Sequence, residues 1–398
     1  MEEVERAFRD ASGPAVATLV RLFGDISLAE DAAQDAFVTA MDRWPRDGVP
    51  GNPAGWIVTT ARNRAVDVVR RNARGRELTK EIAADWLRGE ASGAVGEDQL
   101  RLIFTCCHPA LRGEHQVALT LRLIAGLDLG DLASAFLVSE EAMAKRLVRA
   151  KYKIKAARIP YRVPGDAELP GRLRAVLSVL YLVYNAGGDD RRHAYLRTEA
   201  IRLSRLLRGL MPAEPEVVGL LALMLLGEAR RPARGDQGIG VLLQDQDRSL
   251  WDHALIDEGQ TLVLSCIRRR QLGPFQLQAA IQALHCAAAR YEDTDWSAIV
   301  RFYDRLLRAM PTPVVALNRA IAVAELHGPG AGLDILDALA DELDDYHLLH
   351  AARGHMLNKL GRRTEAATAY TRAASVARTE PARTFLQEQA AFQHRQNL

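Results

Sequence analysis

The sequence predicts an all-α protein: two small helical domains, the second with a helix-turn-helix, followed by a helical-repeat domain. Three observations carry that expectation. Apolar residues recur at helical spacing in segment after segment, as in SVLYLVY, LLALMLL, QLQAAIQALHCAAARY and AIVRFYDRLLRAM. Alternating strand patterns are sparse, and Pro and Gly fall between many of the periodic segments. The 398 residues are enough for two or three domains, and 48% hydrophobic against 26% charged residues favours packed cores over disorder.

The first domain is expected over residues 1–75. Leu28, Ala32, Phe37, Val38, Met41 and Trp44 form the apolar stripe of a helix over 28–44, and Glu30, Asp31 and Asp35 are expected on its exposed acidic face. The loop WPRDGVPGNPAG leads into WIVTTARNRAVDVVRRNARGR. There Trp56, Ile57, Val58 and Val66 are apolar, and Arg62, Arg64, Arg70, Arg71, Arg74 and Arg76 crowd a single helix. An aromatic beside a run of arginines suits phosphate binding with stacking on an unpaired base. A linker follows over 76–97, where RGEASGAVGE is rich in Gly and Ala.

The second domain is expected over 98–160. Cys106, Cys107 and His108 precede Pro109. Adjacent cysteines rarely bridge each other, and no CxxC pair exists. A metal or redox site is chemically conceivable, but buried small residues at a helix end are the favoured reading, and no metal or cofactor is expected. Residues 128–151, DLGDLASAFLVSEEAMAKRLVRAK, read as a helix-turn-helix. Leu132, Ala133 and Phe136 face inward on the first helix. Ser139 caps the second, Glu140 and Glu141 complement its dipole, and Met143, Leu147 and Ala150 pack inward. Lys145, Arg146, Arg149, Lys151, Lys153 and Lys155 supply positive charge. Short polar residues near the start of a helix, with phosphate-binding cations further along, suit major-groove entry.

A linker over 161–171 is marked by the prolines and glycines of IPYRVPGDAELPG. Residues 172–398 are expected to form a C-terminal helical extension. Near 313–390, HAARGHMLNKLGRRTEAATAYTRAASVARTEPA is similar to a tetratricopeptide repeat, and NRAIAVAELHGPGAGLDILDAL is a looser copy. Gly328 and Gly361 fall 33 positions apart, and Ala320, Ala324, Ala366 and Ala373 permit close helix packing. Gln244, Asp245, Gln246, Asp247, Arg248, Trp251 and Asp252 either line a pocket or cap helices and pair charges at turns.

In their order, the acidic helix, the Trp-led basic helix and the later helix-turn-helix resemble the extracytoplasmic-function class of bacterial sigma factors, over about residues 1–160. The tail resembles that of a subgroup with a fused, tetratricopeptide-like C-terminal extension. The resemblance implies a non-enzymatic specificity subunit that binds core RNA polymerase through its beta and beta-prime subunits and recognises minus-ten and minus-thirty-five promoter DNA. Asp31, Gln34 and Asp35 would face the polymerase. Asn63 would hold a flipped minus-ten base, with Arg62, Arg64, Arg70 and Arg71 on phosphates. Ser139, Glu141, Ala144, Lys145, Arg146 and Arg149 would engage the minus-thirty-five element. The extension would regulate, with a protein or peptide partner for its repeats. Where the subgroup carries a fuller Asn-Glu-Gly-Tyr type motif, this chain reads Asn185-Ala186-Gly187-Gly188.

Formal net charge is only +2, so nucleic-acid binding must rest on local basic surfaces. Met1 is followed by the charged EEVERAFRD and no apolar run approaches a membrane span, so a cytoplasmic, nucleoid-associated protein is expected. No paired Ser/His/Asp set or phosphate-cradling Gly loop stands out, and His253, His285 and His355 read as structural or solvent-facing. The competing expectation is a helix-turn-helix regulator that binds duplex DNA without polymerase and senses a ligand or peptide through its tail.

Overall fold

A computed structural model describes residues 2–71, 91–136, 138–188, 194–234, 241–268, 272–377 and 379–395. Every regular element among the described residues is helical, as the apolar periodicity predicts. Contacts divide the chain into two units, Met1–Gly187 with Tyr195–Leu210, and Gly188–Ala194 with Met211–Leu398.

The first unit begins with three mutually packed helices, α1 (Glu2–Phe23), α2 (Ile26–Asp47) and α3 (Pro53–Arg71). Asp25 caps α2, its carboxylate accepting from Ser27 N at 2.8 Å and Leu28 N at 3.1 Å. Gly48 ends it at φ 85°, a conformation that favours glycine. Leu19, Phe37, Trp44 and Ile57 are buried in this bundle. Each such side chain contributes about 1.5–3 kcal/mol of apolar transfer free energy.

Next come α4 (Ala91–Cys106), α5 (Gly113–Leu119), which runs on as a π-helical turn (Thr120–Ile124), α6 (Leu129–Ala135) and α7 (Glu140–Ala156). The linker expected over 76–97 is only partly a linker: α4 begins at Ala91, and residues 76–90 lie outside the described residues. Alanine favours helix, and Leu102, Ile103 and Phe104 anchor its later turns in the core, so two glycines do not prevent it. The bundle and these helices share one core. A Cβ on Gly13 would stand 2.8 Å from the Ile124 carbonyl oxygen, so α1 passes the π-helical turn at a distance only glycine permits.

The proline-rich segment separates helices without separating cores. The Tyr161 hydroxyl donates to Ala17 O at 2.7 Å and Asp98 O at 3.1 Å, tying the segment to α1 and α4. Beyond it, α8 (Leu169–Ala186) and α9 (Ala194–Leu210) also belong to the first unit. Val176, Leu180, Leu203 and Leu207 meet Ile103, Cys107 and Thr120 around one small cavity. Proline stops a helix, but it does not stop the next helix from packing back.

The second unit is built around α10 (Pro215–Ala229), apolar on all sides and buried from Val217 to Leu226. It packs on α11 (His253–Arg268) and α12 (Pro274–Ala287). There follow α13 (Trp296–Ala309), α14 (Pro313–His327), α15 (Pro329–Ala338), α16 (His347–Lys359), α17 (Arg363–Val376) and α18 (Glu380–Arg395). The turns between α14 and α15 and between α16 and α17 carry Gly328 at φ 96° and Gly361 at φ 73°. Thus the two glycines at the 33-residue spacing occupy like turns. Among the described residues no helix is long and apolar enough to cross a membrane.

Candidate nucleic-acid interface

On α3 the core side is set by Ile57, Ala61 and Ala65, one helical turn apart, with Trp56 packed edge-on to Trp44 at 5.5 Å between ring centroids. That leaves Asn63, Arg64, Arg70 and Arg71 exposed and Arg62 half-buried. Four cations and one amide therefore share a helix whose opposite side is locked in the bundle. Arg74 and Arg76 lie outside the described residues.

On α2 the core seam is mostly alanine: Ala29, Ala33, Ala36 and Ala40, with Phe37 and Trp44. Two residues of the expected apolar stripe face solvent instead, Val38 at 66% and Met41 at 62% exposure. With Asp31 and Asp35 they make an acidic and apolar strip along one face. Gln34 is half-buried beside it and donates to Glu30 at 3.1 Å. Burial raises the Asp31 pKa, opposed by Lys151 and reinforced by Glu30, Asp35 and Asp25.

Glu30 is not on the exposed acidic face. It is 7% exposed and accepts from Arg122 Nε at 2.6 Å and from Lys151 Nζ at 2.9 Å. Arg122 also donates to Leu127 O at 2.7 Å. Burial pushes the Glu30 carboxyl up, but Lys151 and Arg122 together reverse this and hold it below its ordinary value. Through this cluster α7 and the π-helical turn are tied to α2.

The α6–α7 pair forms as its caps dictate. The Asp128 carboxylate accepts from Asp131 N at 2.7 Å, and Ser139 Oγ accepts from Ala142 N at 3.2 Å. Leu132, Met143, Leu147 and Ala150 are buried, as expected. The outer face of α7 carries Glu141, Lys145, Val148, Arg149 and Tyr152, with Ser139 exposed at the cap and Ala144 half-buried. Lys145 pairs with Glu141 at 2.5 Å, and Arg149 Nε donates to Lys145 O. Arg146 is held differently. It is 21% exposed, lies over the Phe136 ring at 5.1 Å and approaches Glu114 at 3.5 Å.

Beside α7 is a basic hollow of about 590 Å³, lined by Arg112, His115, Arg146, Arg149, Tyr152 and Lys153, with Glu114 the acid among them. Burial, with Arg112, Arg146 and Arg149 adding and Glu114 opposing, holds the His115 pKa below its usual value. A hollow with this surplus of cations suits phosphate oxygens. Arg112, His115 and Tyr152 were not singled out in the sequence. Arg112 and His115 sit on α5 and its cap, outside the helix pair whose pattern drew attention.

Cys106 and Cys107 are both buried, and Cys107 Sγ lies 3.5 Å from Thr120 Oγ1. Burial raises both thiol pKa values, that of Cys107 to about 12. His108 accepts from Ala110 N at 3.1 Å in the next turn. No group of metal-ligating residues exists among the described residues. Of the polar cluster in the second unit, Asp247 caps a short turn at Ser249, Asp252 caps α11, and Arg248 stacks on Trp251.

A sigma-70 region 2 model matches residues 8–75, and a family of unknown function, DUF6596, matches residues 172–266. An uncharacterized protein of Rhizobium meliloti is 44% identical over 388 residues, covering 94% of this chain and 92% of that protein. A probable ECF RNA polymerase sigma factor of Mycobacterium tuberculosis, SigI, is 28% identical over 167 residues, covering 40% of this chain and 56% of that protein. No solved structure matches.

Proposed function

The chain belongs to one family with the Rhizobium meliloti protein and stands with the sigma factors through its sigma-70 region 2, and from that premise we propose that it is an alternative sigma factor that directs core polymerase to promoters. The observation that carries this reading is the pair of exposed faces within residues 8–75: the Asn63 and arginine face of α3, and the Asp31, Asp35, Val38 and Met41 strip of α2. A duplex-binding regulator would have use for the first alone.

The strip docks on polymerase core. Its carboxylates steer and orient a basic partner surface, while Val38 and Met41 supply the desolvated centre. The Asn63 amide both donates to and accepts from the edge of an unpaired minus-ten base. Arg62, Arg64, Arg70 and Arg71 bind backbone phosphates, which makes binding steeply salt-dependent.

The α6–α7 pair is the minus-thirty-five reader. Glu141, Ala144 and Lys145 lie in the first turns of α7 and read base edges, Lys145 leaving Glu141 to donate to guanine. Arg149 and Lys153 hold phosphates together with Arg112 across the basic hollow. Arg146, stacked on Phe136, positions the helix pair and adds charge. Ser139 caps α7. A sigma factor reads two separated elements, so the Glu30 cluster between α2 and α7 opens when promoter is engaged.

The C-terminal unit regulates. Its helix pairs with glycine turns at tetratricopeptide spacing support a peptide- or protein-binding array. Gel filtration of the full chain with bacterial core polymerase, followed by promoter-directed transcription, tests the reading. Co-elution and a defined start site are expected. Stable binding to isolated promoter duplex without any polymerase association would replace it with the duplex-binding regulator.

A further inference from the structure

The second unit contains a cavity of about 360 Å³ that the promoter reading leaves unused. It lies among α12, α13, α14, α16, α17, α18 and the segment at Leu242–Gln244, within one unit. A few hundred cubic ångströms is the scale of a small-molecule site.

The walls are aromatic: Tyr291, Trp296, Tyr303, Tyr370 and Phe385 all line it. Trp296 is held edge-on between His285 at 5.4 Å and Tyr291 at 5.5 Å, so its ring orientation is fixed by its neighbours. Fixed rings present flat apolar faces at little entropic cost to a planar guest.

Charge in the lining is already matched. Glu325 and Lys359 are the ionic side chains there, and they pair with each other at 2.6 Å. Burial and the nearby Glu325 carboxylate together raise the Tyr291 pKa. Burial, with Arg230 and Arg248 nearby, lowers the His285 pKa to about 3, and burial also lowers that of His355. An ionic guest would therefore enter an apolar cavity with no free counter-charge.

One polar atom is unanswered. His285 Nδ1 is buried without a hydrogen-bond partner, shielded from the cavity itself. Asn318 and Gln389 add amides to the same lining. A guest hydroxyl or N–H can pair with one of these amides while its rings lie against the aromatic walls. We propose that this cavity is a binding site for an uncharged aromatic small molecule that carries a hydroxyl or N–H group, its rings against Trp296 and Tyr303 and its polar group on the Asn318 or Gln389 amide. The site is independent of the sigma reading, because no residue of the promoter or polymerase faces takes part.

The test is a fluorescence titration of the full chain with N-phenyl-1-naphthylamine, an uncharged diaryl amine with one N–H. A saturable rise at one probe per chain is expected, together with a higher melting temperature. Ala351→Phe and Ile321→Trp each place a ring in the cavity and should weaken binding at least about tenfold. Ile321 is 38% exposed, so the larger side chain can be accommodated without unfolding, and circular dichroism checks both variants. Non-saturable emission overturns the proposal. So does unchanged affinity in either folded filling variant, or equal affinity for the anionic 8-anilinonaphthalene-1-sulfonate. None of these results depends on polymerase, so the two readings fail separately.

Discussion

Glu30 shows how one residue departs from its sequence context. Three acids in the segment LAEDAAQD look alike, yet one is buried against Lys151, 121 positions away. Removing a partner from a buried ion cluster leaves uncompensated charge, so Glu30→Ala should cost about 3–5 kcal/mol in urea unfolding. Its pKa lies below the ordinary 4.5 in the folded chain. The contribution is therefore full above the usual carboxylate range and is lost as pH falls through the folded value. The stability gap between the parent and Glu30→Gln should shrink steadily as pH falls below about 4.5. A gap that widens on acidification would mean the carboxyl is held neutral. The cations of α7 separate in the same way. Arg146→Ala should lower stability by about 0.5–1 kcal/mol through the lost Phe136 stacking, besides weakening DNA binding. Arg149→Ala should leave melting unchanged and weaken binding to all promoters equally, with a shallower salt slope. Lys145→Ala should instead change which sequence is preferred, measured by competition between promoter variants.

At the scale of elements, local signals were legible where a cap or a periodic stripe fixes the answer. Ser139, Met143, Leu147 and Ala150 placed α7 from sequence alone. What could not be read was membership in a core, which depends on residues far apart in the chain. Proline-rich residues 161–171 look like a boundary, but α8 and α9 return to bury Val176, Leu180, Leu203 and Leu207 with Cys107. Nor could the stripe of α2 be narrowed: Val38 and Met41 fit a helical face, yet the seam of small alanines lets α1 and α3 approach so closely that neither is covered. The consequence is testable by truncation. A chain ending at Pro164 loses one wall of its core and should melt well below the parent or aggregate. A chain ending at Leu210 should keep a cooperative thermal transition, followed by circular dichroism. Equal melting of the two fragments would show that α8 and α9 contribute nothing to the first unit.

Over the whole molecule, a formal charge of +2 hides strong local asymmetry. Cations collect on α3 and around the hollow beside α7, and acids sit on the exposed strip of α2. A chain built this way can meet a basic protein surface and a nucleic acid through different faces. Substituting the strip while sparing the core should separate them: Asp35→Arg with Val38→Asp lies at exposed positions and should leave melting within about 0.5 kcal/mol of the parent. The most direct measurement is gel filtration of the full chain and of this double variant with bacterial core polymerase. The parent should co-elute with polymerase and the folded double variant should not. Failure of the parent to associate, or equal association by both, would contradict the sigma-factor reading.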